Sequence, residues 1–289
     1  MSKILLYAKV ARAQTLVMSI GPLISYYLYC KFNYLNSDFN KLSFILTGVS
    51  IVLFHLSVNT ISEYRDCQKG VDDPNSPGTK YRLISGIVPR KHILYLGVTA
   101  FSIAAIVGLF AVCLSSIYLL IPGILGAGIA LFYSEWPFGF KYKALGEIGV
   151  FMAYGPLSGF AAIFSLTGNF SLNDFLFSIP FGLFTTCVLI ANNIRDHDFD
   201  LGKTKTLTTI YGIKFSYAIL FFIAHLGFSF IPILVYLHAI PNYGFLAFLA
   251  YSMILLSIKQ LGTPKFIDMF GMLQVIYCQA LNLAFLIYT

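Results

Sequence analysis

Two short segments gather most of the acids in this 289-residue chain. The first runs Asn59-Thr60-Ile61-Ser62-Glu63-Tyr64-Arg65-Asp66 and reaches Asp72 and Asp73; the second runs Asn192-Asn193-Ile194-Arg195-Asp196-His197-Asp198-Phe199-Asp200. Together they hold seven of the 12 Asp and Glu residues. Asn59, Glu63 and Asp66 stand at i, i+4 and i+7, and Asn192, Asp196 and Asp200 at i, i+4 and i+8. On α-helices each set lies along one face, while Asp198 points elsewhere. Such sets are either solvated loops whose acids balance neighbouring bases, or a site for a divalent cation. Like charges one turn apart repel by about 0.2–0.5 kcal/mol per pair, a penalty that a cation removes, and carboxylates with Asn carbonyls are the hard oxygen donors that suit Mg2+. Bases follow each set: Lys69, Lys80, Arg82, Arg90 and Lys91 after the first, Lys203 and Lys205 after the second. The two segments look like halves of a bisphosphate site, in which Mg2+ bridges carboxylates to a diphosphate and Lys and Arg take the remaining oxygens, stabilising a departing diphosphate.

The elements that position these residues lie in a membrane. The chain is 58% hydrophobic and 11% charged, with a mean hydropathy of +0.79. A soluble domain carries about a quarter charged residues, so the composition excludes an ordinary cytosolic enzyme, a disordered protein and a nucleic-acid binder. Apolar runs at about 15–31, 42–61, 93–112, 115–134, 148–166, 175–194, 215–236, 240–258 and 266–288 predict nine spans. The uncharged stretch from Ile93 to Ser134 is twice too long for one span of roughly 20 residues, so it folds back near Ser115 and Ser116; Pro241-Asn242-Tyr243-Gly244 supplies a second turn. Lys3, Lys9 and Arg12 precede an apolar run that no small-residue cleavage site follows, which predicts an uncleaved first span. With the N-terminus cytoplasmic, 17 of the 19 Lys and Arg lie inside and only Lys31 and Lys41 outside, as the positive-inside rule requires. Both acid segments then sit at the cytoplasmic ends of spans 2 and 6. The C-terminus falls on the opposite side, and the whole chain reads as one transmembrane domain. Five dispersed cysteines form neither a disulfide framework nor a zinc pattern and read as packing residues.

These segments resemble the UbiA superfamily of intramembrane aromatic prenyltransferases, whose two aspartate-rich motifs lie on the second and sixth of nine helices. Glu63-Tyr64-x-Asp66-x-x-Lys69-Gly70-x-Asp72 is similar to the first motif of the menaquinone branch, and Arg82-Leu83-Ile84-Ser85-Gly86 to the Arg-Pro-x-x-Ser-Gly after it. Asn192-Asn193-Ile194-Arg195-Asp196 with Asp200, continued by Gly202-Lys203-x-Lys205-Thr206-Leu207, resembles the second motif. Arg12-Ala13-Gln14-Thr15-Leu16 resembles the Arg-Pro-x-Thr-Leu that opens the first helix, and Tyr133 to Glu147 with Gly155-Pro156 also resembles that branch. Ala13 replaces the usual Pro, and Ser62 stands where the first motif has its leading Asn, one turn after Asn59.

The resemblance implies an all-α integral membrane enzyme of the inner (plasma) membrane. It would transfer a polyprenyl group from an allylic diphosphate to an aromatic acceptor, 1,4-dihydroxy-2-naphthoate in the menaquinone branch, with 4-hydroxybenzoate or another arene as alternatives. It further implies that Asp66, Asp72, Asp196 and Asp200 hold Mg2+, with Asn59, Glu63, Asn192 and Asn193 completing the shell or orienting waters. Lys80, Arg82 and Lys205 would contact the diphosphate, and Tyr133 and Lys143 the acceptor, the diphosphate or the membrane interface. Glu147 either stabilises a helix N-terminus or takes part in the chemistry. His197 reads as a surface residue, and His55, His92, His225 and His238 as packing or interface residues. A transporter built of two pseudo-repeats remains a competing class, although acids confined to one membrane face suit a one-sided site better; a dead scaffold would have lost one acid set.

Overall fold

A computed structural model describes residues 3–35, 38–71, 86, 88–135 and 137–288. Asp72, Lys80 and Arg82 therefore lie outside the described residues, as does most of the segment that follows the first acid motif. The described residues are helical: α1 (Lys3–Val10), α2 (Val17–Asn33), α3 (Lys41–Gln68), α4 (Arg90–Leu114), α5 (Leu120–Phe132), α6 (Gly146–Met152), α7 (Ser158–Thr167), α8 (Leu172–Arg195), α9 (His197–Asp200), α10 (Leu207–Tyr211), α11 (Ile213–Tyr236), α12 (Tyr251–Ile258) and α13 (Lys265–Tyr288). Among them there is no β-strand, only an isolated bridge between Lys143 and Lys205. Six helical stretches are long and apolar enough to cross a membrane: α3, α4, α6 with α7 (Gly146–Thr167), α8, α11 and α13; Ile117–Phe132 and Asn242–Ile258 are shorter apolar helices.

Lipid tails are as apolar as leucine, so helices in a bilayer associate through close packing and hydrogen bonds rather than hydrophobic burial. The α3–α4 pair uses hydrogen bonds. Ser43, Ser50 and Ser57, spaced seven residues apart, donate to the carbonyls of Ala111, Ala104 and Gly97 at 3.1, 2.8 and 2.9 Å. The acceptors are also seven apart, running the other way, and Asn40 adds a bond to the carbonyl of Leu114 at 2.6 Å. A repeat of seven is the register of two helices crossing at a shallow left-handed angle, so one seam stays in contact over the 14 residues from Ser43 to Ser57, about 21 Å at 1.5 Å per residue. Close packing dominates at the other side of the fold. Gly182 on α8 passes so near the α6–α7 stretch that a Cβ there would meet the Phe151 carbonyl oxygen at 2.5 Å and Gly155 Cα at 3.0 Å. Here Ala153–Leu157 widen into a π turn around Pro156, which cannot donate a helical hydrogen bond. Between α2, α8, α11 and α13 lies an aromatic core: Tyr29 stacks on Phe177 at 4.1 Å, and Tyr277 packs edge-on to Phe181 and Phe184 at 5.7 and 4.8 Å.

The chain does turn at Ser115 and Ser116, where α4 ends and a short 3-10 turn leads into α5. After Pro241 the last hairpin is less regular than a single span, with a 3-10 stretch over Asn242–Ala250 before α12.

Candidate active site

The last turns of α3 and α8, the loop between α5 and α6, and the turn before α2 meet at one end of the bundle. Asp66 is 1% exposed and Glu63 fully buried, positions where a carboxylate needs a partner. Both have one from a distant segment. Lys141 of the α5–α6 loop forms an ion pair with Asp66 Oδ2, and the Tyr142 hydroxyl donates to Oδ1 at 2.8 Å. Arg12 reaches Glu63 at 3.4 Å. Arg12 itself holds a left-handed backbone (φ 51°), a conformation costly for a residue with a Cβ. Its carbonyl is tied down by both the amide and the hydroxyl of Thr15, each at 2.8 Å. Arg65 is held by both carboxylate oxygens of Glu135. Lys69 Nζ rests 3.6 Å above the Tyr142 ring, and partial burial followed by the neighbouring Arg65 charge pulls its pKa below the ordinary lysine value.

On the second motif the helix does not run straight through. α8 ends at Arg195, Asp196 takes a non-helical φ, ψ of −92°, 4°, and α9 resumes at His197. The i→i−4 amide bonds from Asp196 to Asn192 and from Asp200 to Asp196 survive at 3.1 and 3.0 Å, so Asn192, Asp196 and Asp200 share a bent face instead of a straight one. Arg195 folds back as a clamp, donating to both Asp196 oxygens and to Asn192 Oδ1 at 2.8 Å. Asn193 donates to Glu147 at 3.1 Å, which joins α8 to the start of α6. The α5–α6 loop then closes the set: the Ala144 amide donates to the Lys205 carbonyl at 2.6 Å, and Lys203 Nζ reaches the Val71 carbonyl at 3.3 Å. In this way the two acid motifs, with Asp66 and Asp196 130 residues apart in the chain, are brought to the same end of the bundle.

Below the acids opens a cavity of about 1540 Å3. Arg12, Asn59, Glu63, Tyr133, Lys141, Asn192, Asn193 and Arg195 line its polar end, and Leu109, Val112, Leu120, Gly123 and Ile124 are among the apolar residues lining the rest. Of the residues singled out in the sequence, Asn59, Glu63, Tyr133, Asn192 and Asn193 line the cavity. Asp66 and Asp196 stand behind Lys141 and Arg195, whose side chains line it for them. Lys143 and Lys205 are exposed, and the Lys143 ammonium is bonded to the Pro137 carbonyl at 3.0 Å. Ser62, where the motif has an Asn, meets Ser134 at 2.5 Å. Sequence reasoning missed Lys141, Tyr142 and Glu135, whose only sign was polarity in a loop. His55, read from the sequence as a packing or interface residue, is buried between Thr15 and Ser19 and also lines the cavity.

Among the described residues no three His, Cys, Asp or Glu side chains cluster closely enough to hold a metal ion. The donor chemistry still fits Mg2+. This ion needs no all-protein cage, keeps several waters and binds through one or two carboxylates plus substrate phosphates, and Asp66, Asp196 and Asp200 supply carboxylates from two separate helix ends.

The described residues thus form a helical membrane protein with paired acids and bases at the polar end of a largely apolar cavity. The chain belongs to the UbiA prenyltransferase family, whose model matches residues 23–265. It is 27% identical over 207 residues to the 1,4-dihydroxy-2-naphthoate octaprenyltransferase of Bacillus subtilis (strain 168), covering 71% of this chain and 66% of that protein. To the UbiA prenyltransferase domain-containing protein 1 of Gallus gallus it is 29% identical over 176 residues, covering 60% of this chain and 52% of the relative. The chain thus spans between about half and two thirds of the length of these relatives. Among solved structures, the fold is similar to an apo UbiA homolog from Aeropyrum pernix K1 (TM-score 0.72, 16% identity, 93% of this chain and 96% of that one). It is also similar to a UbiA homolog from Archaeoglobus fulgidus bound to DMAPP and Mg2+ (TM-score 0.65, 13% identity, 98% and 99%).

Proposed function

We propose that this chain is a prenyltransferase that moves a polyprenyl group from an allylic diphosphate to an aromatic acceptor, 1,4-dihydroxy-2-naphthoate before other arenes. The observation that carries this reading is the shape and polarity of the cavity: an end lined by Lys141, Arg195, Asn192 and Asn193, backed by Asp66 and Asp196, leads into apolar space of about 1540 Å3. A prenyl diphosphate has that form, a dianionic or trianionic head on a hydrocarbon chain. The similarity to the Bacillus subtilis naphthoate octaprenyltransferase supports the choice of acceptor, and the Archaeoglobus fulgidus homolog bound to DMAPP and Mg2+ supports the donor and the ion.

In this reading Asp66, Asp196 and Asp200, with Asp72 from outside the described residues, hold Mg2+. When bound, Mg2+ neutralises the diphosphate and stabilises the charge that grows on it as it leaves. Asn59, Asn192 and Asn193 orient the head. Lys141 and Arg195 are ion-paired to Asp66 and Asp196 and turn to the diphosphate oxygens once it arrives; Lys205, and Lys80 and Arg82 from outside the described residues, are further diphosphate contacts in this reading. The apolar walls exclude water from the allylic cation. Nine spans form a single transmembrane domain in the inner (plasma) membrane, the N-terminus and both motifs cytoplasmic, the C-terminus outside. Purified protein in nanodiscs, given Mg2+, a radiolabelled prenyl diphosphate and either 1,4-dihydroxy-2-naphthoate or 4-hydroxybenzoate, should prenylate the naphthoate faster. Absence of a prenylated product with any arene would overturn the enzyme reading, and preference for the benzoate would overturn the acceptor.

A further inference from the structure

His55 lies eight residues before Glu63 on α3, about 12 Å deeper at 1.5 Å per residue. It is 7% exposed, lines the cavity, and meets a hydroxyl at each ring nitrogen. The hydrogens of this cluster can be assigned one by one. Asn59 Nδ2 faces the Ala11 carbonyl, which can only accept, so the amide orientation is fixed, and Nδ2 also donates to Thr15 Oγ1 at 3.0 Å. Thr15 gives its single hydrogen to the Arg12 carbonyl at 2.8 Å. Its oxygen is therefore an acceptor toward His55, and the contact at 3.1 Å is a donation from the Nε2 hydrogen. A neutral imidazole has one N–H, so Nδ1 is a bare lone pair and receives the Ser19 hydroxyl hydrogen at 2.8 Å.

Ser19 consequently sends its hydrogen inward to His55, lines the cavity, and also meets the Tyr154 side chain. Tyr154 stands edge-on to the imidazole, ring centroids 5.1 Å apart, and completes a polar belt below the cationic mouth. Pure packing would be served better by apolar side chains, because buried hydroxyls and imidazoles need partners. Serine hydroxyl and histidine lone pair in this order form a base reached through a hydroxyl, the arrangement that activates or relays a proton.

We propose that Ser19 is a catalytic residue that takes the phenolic proton of the aromatic acceptor and that His55 is the base behind it; this rests on the prenyltransferase reading above. As the arene attacks, its O–H bond breaks and the proton passes to Ser19 Oγ, while the proton of Ser19 moves to His55 Nδ1. The electron pair left on the phenolic oxygen drives, through the ring, the new carbon–carbon bond to the allylic carbon. The allylic carbon–oxygen bond breaks and its pair leaves on the diphosphate. Where the attacked carbon bears a carboxylate, loss of CO2 returns an electron pair through the ring to the oxygen, which takes its proton back from the relay. Tyr154 is the titratable group in contact with the His55 ring. Arg12 and Glu63, paired at 3.4 Å, are the charges linked to it through Thr15 and Asn59. Lys9, Lys141, Arg195 and, from α13, Asp268 line the cavity further off, whereas the α4 and α5 residues lining it are uncharged.

The test uses the full chain in nanodiscs with a radiolabelled prenyl diphosphate and 1,4-dihydroxy-2-naphthoate. His55→Gln and Ser19→Ala should each lower kcat about 10²- to 10³-fold, within the range of a general base, with KM for the prenyl diphosphate unchanged. The wild-type kcat should fall toward acid as the base is protonated, and His55→Gln should lose that limb. Ser19→Ala removes a single oxygen atom and decides the matter if His55→Gln does not fold. Wild-type kcat in either variant, an acid limb kept in His55→Gln, or a parallel loss of prenyl diphosphate affinity would overturn the relay. If the wild-type chain prenylates no arene, the functional reading fails first, and the two failures are told apart.

Discussion

Lys141→Met removes the cation paired with Asp66 and offers the sharpest test of the site. Asp66 has a side chain 2% exposed whose charge is met by Lys141, 23% exposed, and by the Tyr142 hydroxyl. Deleting one partner of a buried pair costs about 3–5 kcal/mol because the other charge stays buried. The partial exposure of Lys141 places its loss near the lower bound, about 3 kcal/mol. Asp66→Asn leaves an ammonium that can swing toward water and should cost less, about 1.5–2 kcal/mol, the scale of one hydrogen bond to a charged group. The double variant should fall short of the sum by about 1–2 kcal/mol, the coupling expected of residues in direct contact. Unfolding of the four proteins by SDS in mixed micelles provides the cycle. Mg2+ with pyrophosphate supplies a second reading: if the ion replaces the ammonium at Asp66, a hundredfold excess over Kd restores about 2.7 kcal/mol to Lys141→Met and nothing comparable to the double variant. Additive losses, or rescue of the double variant to the same extent, would refute the view that one carboxylate serves ammonium and metal in turn.

Other consequences are tested more simply. Asp196→Ala should abolish prenyl transfer, and EDTA should abolish it in the wild type with recovery on added Mg2+, both read by product radioactivity; activity that survives either treatment contradicts the metal assignment. Gly126 lines the cavity, and a Cβ added there meets nothing within 4 Å. Gly126→Phe should therefore fold normally yet lower kcat/KM for long donors relative to geranyl diphosphate by about tenfold or more, the scale at which a pocket rejects excess hydrocarbon. Gly182→Ala presses on backbone atoms at 2.5 and 3.0 Å and should cost about 2–3 kcal/mol as an overpacked contact, seen as a lower melting temperature.

Spacing could place the acids of the candidate site at two helix ends, because on a helix a register of four or seven fixes a face. The fold-back at Ser115 followed from bilayer thickness alone. The bend at Asp196 carried no Gly or Pro to announce it, and it depends on Arg195 folding back across the helix end. Lys141 and Tyr142 pair with an acid 75 and 76 residues away, and nothing local marks a loop lysine as the partner of a buried carboxylate. The partners of His55, Thr15 and Ser19, are equally invisible locally, because they lie 40 and 36 residues earlier and the sequence shows only a lone histidine on an apolar span. The seven-residue spacing of Ser43, Ser50 and Ser57 gains a purpose only from the backbone carbonyls opposite them.

That serine ladder bears on how the protein is made. Its donors and acceptors all belong to α3 and α4, consecutive helices, and the acceptors are main-chain carbonyls present in any sequence. The pair can therefore lock its register during insertion, as soon as the second of the two helices enters the bilayer and before the remaining spans are synthesised. Asp66 is carried on the rigid arm of this early hairpin, while Lys141, which neutralises it, arrives some 75 residues later. Biogenesis thus leaves an interval in which the acidic end of α3 must stay at the aqueous surface. A ladder that holds α3 from sliding along its axis keeps it there.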